Sequence, residues 1–499
     1  MTITYVTVAI PFVNADPHLG YAYEVVEADI YARSRRAAGD PVRFLGGTDD
    51  HSLKNVLAAE AVGQPTRAFV DAHAARFAAL AGPLGLSFDD FLRTSADARH
   101  RPAVERLWRA CREQGDIYRR SYEGDYCVGC ERFLAPEDQD GGTCPEHREP
   151  VERVVEDNWF FRLSRYQDQV EDLIASDQLV IRPEPFRREV LAFVRAGLAD
   201  ISVSRSVERA RGWGIEVPDD PTQVVYVWFD ALTYYLSSLG YGDPHSADHR
   251  TWWTAADQRV HVIGKGILRF HAVYWPAFLA SAGLVPPTRI QVHPYLTVGG
   301  DKIAKSTGTT VDPNAVVATH GTDALRWWFA RDVGAVADTD FTERRLVERA
   351  NDDLANTLGN LTNRIVTLVH RHRDCVVPDA EAAPLDAARC LAGTVERAIA
   401  AFDLRRAARA VVDAAIALNR ELEATAPWVV ARDPARVGEL DGLLACHVAS
   451  ARLIAAAVAP IVPDLSARLR HQLGTSARLP APTPVFARRE PDGGALADA

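Results

Sequence analysis

Residues 2–10 read Thr-Ile-Thr-Tyr-Val-Thr-Val-Ala-Ile, a run rich in β-branched residues that ends at Pro11. A run of this kind is typical of a strand buried on both faces of a parallel sheet. Residues 21–38 follow with apolar positions at helical spacing, and a second short strand is predicted at residues 42–45. A strand, a helix and a strand within about fifty residues form a βαβ unit. The sequence therefore predicts an α/β fold with a doubly wound, Rossmann-like parallel sheet.

The alternation of strands and helices is interrupted by a cysteine-bearing stretch and returns around residues 260–263 and 289–293. From about residue 346 the pattern is helical almost throughout, and the last residues are rich in Pro, Ala, Arg and Gly. These changes divide the chain into six predicted segments. They are the first half of a nucleotide-binding fold at 1–118, a connective insertion at 119–225, the second half of the fold at 226–295, a linker domain at 296–345, a helical domain at 346–480 and a disordered tail at 481–499.

The composition limits the environment and the partners of the chain. It has 499 residues, of which 47% are apolar and 25% are charged, as in ordinary globular proteins. No apolar run approaches the ~20 residues of a membrane span, and no basic segment precedes the first apolar stretch. We therefore expect a cytoplasmic protein that binds no membrane. The net charge of −11 argues against DNA binding but leaves room for a local basic face that binds RNA.

Three of the seven cysteines lie close together in the sequence, with the spacing Cys127-x2-Cys130-x13-Cys144-x2-His147. Two close pairs separated by a short loop are typical of a zinc knuckle, in which each pair supplies two corners of a tetrahedron. We predict one structural Zn²⁺ held by these four residues, with a nearby carboxylate as the alternative to His147. Reduced surface cysteines are the competing interpretation.

Two short motifs suit a bound triphosphate. Pro17-His18-Leu19-Gly20-Tyr21 lies between the first strand and its helix, where open α/β sheets bind ligands. A histidine and a glycine there let phosphates approach backbone N–H groups and the positive end of the helix dipole. Lys302, Lys305 and Ser306 lie on a glycine-flanked loop, and the two lysines can neutralise charge that develops on the phosphates. Taken singly, each motif is also compatible with an ordinary turn or a solvated loop.

Together the two motifs resemble the His-Ile-Gly-His and Lys-Met-Ser-Lys-Ser signatures of class I aminoacyl-tRNA synthetases. Residues 47–51 (Gly-Thr-Asp-Asp-His), 226–231 (Tyr-Val-Trp-Phe-Asp-Ala) and 269–276 (Arg-Phe-His-Ala-Val-Tyr-Trp-Pro) narrow the resemblance to methionyl-tRNA synthetases, over essentially the whole chain. The resemblance implies that ATP with Mg²⁺ activates methionine to an aminoacyl-adenylate, which is transferred to tRNA(Met). It also implies that the catalytic residues are His18, Tyr21, Lys302 and Lys305, and that His18, Gly20, Lys302, Lys305 and Ser306 bind ATP.

The resemblance implies two further sites. Asp49 would bind the α-ammonium group of methionine, and apolar and aromatic side chains would surround its flexible thioether. The apolar set is Ala9, Ile10, Phe12, Trp228, Ala231, Leu232, Tyr235, Phe270 and His271. In the helical domain, Asn360 and Arg364 are one helical turn apart and Trp428 offers a stacking surface, so these three residues would read the anticodon. The competing interpretations are core aromatics and a solvated helix with a core tryptophan.

Several positions depart from the family pattern. Tyr21 replaces the second histidine of the first motif, Phe12 replaces a tyrosine, and Gly266 replaces an aspartate. Ile303 and Ala304 replace the methionine and first serine of the second motif. Two other functions therefore remain open: a paralogue that transfers an activated amino acid to a small molecule or protein, and a catalytically inactive RNA-binding protein. A monomer is expected, although the sequence leaves the oligomeric state open.

Overall fold

A computed structural model describes residues 1–127, 132–134, 138–145, 148–303, 310–474 and 476–490. The described strands are β1 (Thr4–Val8), β2 (Val42–Thr48), β3 (Asp90–Arg93), β4 (Ile117–Cys127), β5 (Arg132–Leu134), β6 (Glu152–Phe161), β7 (Val180–Arg182), β8 (Ile201–Ser202), β9 (Ser204–Ser206), β10 (Glu216–Val217), β11 (Asp220–Val225), β12 (Gln258–Gly264), β13 (Arg289–His293), β14 (Leu296–Val298), β15 (Asp301–Lys302) and β16 (Thr339–Asp340).

Helices connect these strands and form most of the chain after residue 342. The described α-helices are α1 (Leu19–Ala37), α2 (Leu53–Ala61), α3 (Thr66–Ala79), α4 (His100–Glu113), α5 (Gln167–Ala175), α6 (Glu184–Arg195), α7 (Val227–Ser237), α8 (Ala247–His249), α9 (Trp275–Ser281), α10 (Pro313–His320), α11 (Thr322–Asp332), α12 (Glu343–Arg349), α13 (Asn360–Arg373), α14 (Asp386–Arg389), α15 (Leu391–Ala400), α16 (Leu404–Thr425), α17 (Pro427–Val430), α18 (Val437–Ala457) and α19 (Pro463–Leu473). Phe270–Tyr274 and Ala350–Gly359 are π-helical.

The central sheet has six parallel strands in the order β3-β2-β1-β12-β13-β7. All five residues of β1 are buried, as predicted from the β-branched run, because helices cover both faces of the sheet. The strand order reverses between β1 and β12, so a crevice opens beyond their carboxyl ends. The predicted doubly wound α/β fold is confirmed.

The segment between the two halves of the fold forms antiparallel sheets. β4 and β6 pair along ten residues from Ile117↔Phe161 to Tyr126↔Glu152, and β5 and β8 extend this sheet at its two edges. β7 then returns to the central sheet and pairs with β13. The structure thus differs from the predicted insertion at 119–225, since a strand of the main sheet lies inside it. A strand of three residues has no periodicity that sequence analysis detects.

The helical region shares one hydrophobic core with one face of the sheet. A continuous cluster of buried side chains runs from β1 and α1 through α11 into α13, α16, α18 and α19. Val485 and Phe486 belong to the same cluster, and the carbonyl of Val485 accepts a hydrogen bond from Arg468 Nε at 2.8 Å. Residues 481–490 were predicted to be disordered, but the structure places them against the core. The composition of the segment does not reveal that Val485 and Phe486 are buried there. Residues 491–499 lie outside the described residues.

One helical stretch, Pro434–Ala457, is long and apolar enough to cross a membrane by length and composition. It is the one such stretch in the part of the chain that the structure describes, and half of its most apolar window is buried within the protein. Its buried face includes Leu444, Val448 and Ala451, which belong to the shared core. A core helix passes the same test of length and composition as a membrane helix.

Candidate active site at the carboxyl ends of β1 and β12

His18 forms the N-cap of α1. Its backbone is extended (φ −120°, ψ 170°), and its Nδ1 accepts a hydrogen bond from the backbone N–H of Gly20 at 3.1 Å. A Cβ atom on residue 20 would lie 3.0 Å from two atoms of the His18 ring, so any larger residue there would press on the ring that forms this cap. Because Nδ1 accepts, the neutral ring carries its proton on Nε2, which is a donor suited to a phosphate oxygen. The N–H of Leu19 donates to the carbonyl of Val311, which follows the lysine loop.

Tyr21 lies in the hydrophobic core. Its side chain is 7% exposed and meets the ring of Phe77 edge-on, with 5.1 Å between ring centroids. Its hydroxyl has no hydrogen-bond partner among the residues that the structure describes, and burial raises the pKa of the phenol well above its usual value. A neutral, buried phenol supplies no charge to a phosphate. The structure therefore gives no support to the predicted catalytic role of Tyr21.

The lysine motif begins in a small hairpin. β14 and β15 are joined at Gly299 and Gly300, both with positive φ, and Asp340 Oδ1 accepts from the N–H of Gly300 at 3.0 Å and from Thr297 Oγ1 at 2.8 Å. Ile303 is 3% exposed and donates its N–H to the carbonyl of Leu296, so it anchors the loop as its apolar character predicts. Lys302 is the last residue of β15, whereas Lys305 and Ser306 lie outside the described residues.

The predicted methionine-binding residues of α7 lie on one face of the helix. Trp228, Ala231, Leu232 and Tyr235 follow the i, i+3, i+4, i+7 spacing of such a face. The indole of Trp228 stacks on Phe270 at a centroid distance of 3.8 Å and an angle of 10°. Ala9 and Ile10, just beyond β1, belong to the same hydrophobic cluster as these aromatic rings. The structure thus brings six residues of the predicted apolar set into one hydrophobic cluster: Ala9, Ile10, Trp228, Leu232, Tyr235 and Phe270.

His271 and Tyr235 form a buried polar contact in this pocket. Nδ1–H of His271 donates to the carbonyl of Ile267 at 2.9 Å, and the hydroxyl of Tyr235 donates to Nε2 at 2.7 Å. Burial lowers the pKa of His271 to about 4, so its ring is neutral near pH 7, as this pattern of donors requires. Phe270 and His271 begin the π-helical turn, a geometry that often occurs at functional sites.

Asp49 lies next to the end of β1. Its side chain is buried, its N–H donates to the carbonyl of Pro11, and its backbone forms a parallel bridge with Phe12. Its Oδ1 accepts from the N–H of His51 at 3.3 Å. A buried carboxylate beside Phe12 and the apolar pocket suits a cationic group on a largely apolar ligand.

Sequence reasoning missed two basic residues at this edge of the sheet. Lys54 Nζ lies 5.6 Å from the ring centroid of Phe12. Lys265, directly after β12, binds both oxygens of Asp338 at 2.7 and 2.9 Å. A signal was present, because only four of the 56 lysines and arginines are lysines, and these are 54, 265, 302 and 305. A chain that uses arginine elsewhere thus has lysine at both positions of the second motif and at two further positions, 54 and 265, that lie at this edge of the sheet.

The three predicted anticodon residues are close together in the helical region. Arg364 donates to Asn419 Oδ1 at 2.7 Å, pairs with Glu423 at 2.5 Å and lies 6.0 Å from the ring centroid of Trp428. Asn360 is exposed one turn earlier on α13, and Trp428 is half-buried. An exposed amide, a guanidinium and an aromatic face are groups that bind unpaired bases.

The cysteine cluster is only partly described. Cys127 at the end of β4 and Cys144 are each 1% exposed and belong to one small hydrophobic cluster with Leu134. The N–H of Cys144 donates to the carbonyl of Glu149 at 2.9 Å, and the carbonyl of Cys144 accepts from the N–H of Arg148 at 2.7 Å. Cys130 and His147 lie outside the described residues.

The crevice at β1 and β12, the capped N-terminus of α1 and the lysine hairpin after β13 define a class I aminoacyl-tRNA synthetase. A family described as "tRNA synthetases class I (M)" matches residues 4–155 and 148–366. The chain belongs to the methionyl-tRNA synthetase family.

Relatives and solved structures agree with this assignment. A methionine–tRNA ligase from Thermosynechococcus vestitus is 40% identical over 486 residues, which cover 95% of this chain and 90% of the relative. One from Mycobacterium bovis is 38% identical and covers 98% of each chain. Mycobacterium tuberculosis methionyl-tRNA synthetase in complex with methionyl-adenylate superposes with a TM-score of 0.90 at 36% identity, covering 98% of this chain and 100% of that one. Its free form gives 0.85 at 34% identity, covering 99% of each chain.

Proposed function

We propose that this protein activates methionine with ATP and transfers it to tRNA(Met). The observation that carries the proposal is the pocket at the carboxyl end of β1, in which the stacked Trp228 and Phe270 rings lie with the buried carboxylate of Asp49 nearby. Such a pocket accepts an apolar side chain and an ammonium group of one small molecule. The ligand in the similar M. tuberculosis structure is methionyl-adenylate, which has both groups.

In the first step, an oxygen of the methionine carboxylate attacks the α-phosphorus of ATP, which enters as its Mg²⁺ complex. The new P–O bond replaces the bond to the β-phosphate, and pyrophosphate leaves. Asp49 holds the α-ammonium group, and Nε2–H of His18 donates to a phosphate oxygen. Lys302 and Lys305 stabilise the charge that develops on the leaving group, so catalysis consists of positioning and electrostatic stabilisation.

In the second step, a hydroxyl of the terminal ribose of tRNA attacks the carbonyl carbon of the adenylate. An ester forms and AMP leaves. Asn360, Arg364 and Trp428 would bind unpaired bases of the anticodon, so recognition of tRNA takes place far along the chain from the chemistry. We propose that this charging supplies translation in the cytoplasm.

Two matched tryptophan substitutions test the methionine pocket and the proposed anticodon-binding residues independently of each other. Trp228→Ala is expected to lower kcat/KM for methionine in ATP–pyrophosphate exchange by roughly 30- to 150-fold, because a lost aromatic wall costs about 2–3 kcal/mol. Trp428→Ala should leave exchange unchanged and lower kcat/KM for tRNA charging by roughly 5- to 150-fold, since a stacked base contributes about 1–3 kcal/mol. Each variant is the control for the other.

Two outcomes would contradict the proposal. If methionine supports no exchange in the unsubstituted protein while another amino acid does, the substrate is wrong. If exchange occurs but no tRNA is charged at all, the acceptor is a small molecule or a protein, as in the alternative paralogue. Normal tRNA charging by Trp428→Ala would instead exclude Trp428 from the residues that bind tRNA.

We also propose one structural Zn²⁺ per chain, held by Cys127, Cys130, Cys144 and His147. The donor set fits zinc, because thiolate sulfur and imidazole nitrogen are its preferred ligands in closed structural sites. The two described sulfurs are buried in one cluster, which supports a shared role. Zinc in such a site stabilises the fold of the insertion and takes no part in the reaction.

Metal analysis of the purified protein is expected to give about one zinc per chain, since structural sites bind zinc tightly at neutral pH. Cys144→Ser should reduce this content strongly, because serine does not supply a thiolate. Cys390→Ser, at an exposed cysteine of the helical region, is the matched control and should retain the metal. Equal zinc content in the two variants would remove the proposal.

A further inference from the structure

Asp230 lies on α7 between two imidazoles. His51 Nδ1–H donates to its Oδ2 at 2.6 Å, and His100 Nε2–H donates to its Oδ1. The side chains of Asp230 and His100 are almost completely buried, and that of His51 is 9% exposed. The three residues come from different parts of the chain, at the end of β2, the start of α4 and the first turn of α7.

The spacing of this cluster fits hydrogen bonds better than a metal ion. Ligands bonded to tetrahedral zinc at about 2.0–2.2 Å lie roughly 3.3 Å apart, which exceeds the 2.6 Å between His51 Nδ1 and Asp230 Oδ2. Ser237 Oγ lies 2.9 Å from His100 Nδ1 and also hydrogen-bonds the carbonyl of Thr233, so both ring nitrogens of His100 have a polar partner. The cluster is therefore a hydrogen-bonded network centred on Asp230.

The carboxyl group of Asp230 is ionised inside the protein, because its pKa is lowered. Burial raises its pKa, but the charges and hydrogen bonds of His51 and His100 outweigh burial and lower the pKa below its usual value. A buried carboxylate whose two oxygens both accept hydrogen bonds holds its geometry closely, since breaking those bonds leaves an uncompensated charge. The cluster is rigid, and two other elements of the pocket are held in place by their contacts with it.

One attached element is the turn that presents Asp49. The N–H of His51 donates to Asp49 Oδ1 at 3.3 Å, and the side chain of Asn55 donates to the carbonyls of Asp49 and Asp50 at 3.0 and 2.9 Å. Nε1–H of Trp213 donates to the carbonyl of Asp50 at 2.7 Å, and its ring meets that of His51 edge-on. The side chain of His51 thus connects this turn to Asp230.

The other attached element is the helix that forms the apolar wall. Asp230 follows Trp228 by two residues and directly precedes Ala231 and Leu232. We propose that Asp230, with His51 and His100, is a positioning unit that sets the separation between Asp49 and the Trp228 face of α7. The α-ammonium and the thioether chain of one methionine molecule are then bound at once. This inference rests on the proposed function of the same pocket.

The test compares two ligands that differ only in the α-amino group, methionine and 4-(methylthio)butanoate. Their binding constants are measured in competition at the amino-acid site of the full chain. His51→Ala is expected to weaken methionine binding on the order of tenfold to a hundredfold, the range for a hydrogen bond to a charged group. Binding of the des-amino acid should change by less than about twofold, because it makes no use of Asp49.

The variant His51→Asn tests the hydrogen bond between the side chain of residue 51 and Asp230. The amide nitrogen of asparagine reproduces Nδ1–H, so His51→Asn should recover most of the preference for methionine. His245→Ala, at an exposed histidine, is the control and should behave as the unsubstituted protein. KM for ATP should stay unchanged in all three variants, which a general disruption of the fold would not allow.

Three results would overturn the inference. In the first, His51→Ala weakens the binding of methionine and of the des-amino acid equally. In the second, it weakens the binding of neither. In the third, His51→Asn binds the two ligands as His51→Ala does, while its thermal midpoint is unchanged. Methionine-dependent exchange in the unsubstituted protein is measured first. Its absence would contradict the proposed function, whereas its presence with an unchanged ligand preference would contradict the positioning unit alone.

Discussion

Arg326→Met is expected to lower the free energy of unfolding by about 3–5 kcal/mol, the usual result of removing one partner from a buried ion pair. Arg326 is fully buried, and its Nη2 binds Asp29 Oδ2 at 2.7 Å. Its other N–H groups donate to the carbonyls of Leu84 and Ile461 at 3.0 and 2.8 Å. The substitution leaves these acceptors without a donor inside the core, and that adds to the loss.

Denaturant unfolding measures the effect, and Arg344→Met is the matched control. Arg344 pairs with Glu348 on the surface of α12, where an ion pair contributes little. The stability should also depend on pH. Burial opposes the ionisation of Asp29, but Arg326, Arg33 and Ser87 outweigh it and hold its pKa below the usual value.

The folded-state pKa of Asp29 lies below its unfolded value, so the stabilisation is fully present above a pH of about 3.9. It is lost as the pH falls further, through the folded-state pKa. The difference in the free energy of unfolding between Arg326→Met and the unsubstituted protein should therefore become smaller in strong acid. A variant as stable as the Arg344→Met control at neutral pH would show that the pair contributes no stability.

His18→Asn is expected to reduce the rate of methionyl-adenylate formation by roughly 10²- to 10³-fold with little effect on stability. Asparagine is a good N-cap, so its Oδ1 replaces His18 Nδ1 as the acceptor for the N–H of Gly20. It has no group at the position of Nε2, the donor assigned to the phosphate. The substitution thus separates the two roles of the ring.

His18→Ala completes the comparison. It should show the same loss of adenylate formation and, in addition, lose about 1 kcal/mol of stability with the cap. Pyrophosphate exchange measures the first effect and denaturant unfolding the second. Full exchange activity in His18→Asn would mean that His18 only caps the helix and that the lysine loop stabilises the transition state alone.

The sheet was predictable where its signals are local. β1, α1 and β2 are consecutive and strongly patterned, and helices at 21–38 and beyond 346 follow from periodicity alone. β7 was not predictable, because three residues show no period and its partner β13 is more than a hundred residues away. The ordered structure of residues 481–490 was not predictable either, because it depends on Val485 and Phe486 packing into a core that distant helices form.

The site divides in the same way. The signature motifs are contiguous, so His18, Gly20 and the apolar residues of α7 could be predicted as site residues from the sequence, and their roles in binding stay predictions. The burial of Tyr21 against Phe77 was not, because position in a motif does not determine which way a side chain faces. The cluster of His51, His100 and Asp230 was not predicted, for a different reason. They are separated by 49 and 130 residues, and only the fold brings them into contact.

The hydrophobic core shared by the sheet and the helical region has a consequence for variants in the cell. A substitution that weakens α16 or α18 also removes support from α1 and α11, so it destabilises the face of the sheet that these helices cover together with the helical region. Mutations near Asn360, Arg364 and Trp428, the residues proposed to bind the anticodon, are then expected to lower the abundance of the enzyme through clearance of unfolded chains, whether or not they touch tRNA. For this chain, a growth defect has to be compared with the amount of folded protein before it is assigned to recognition.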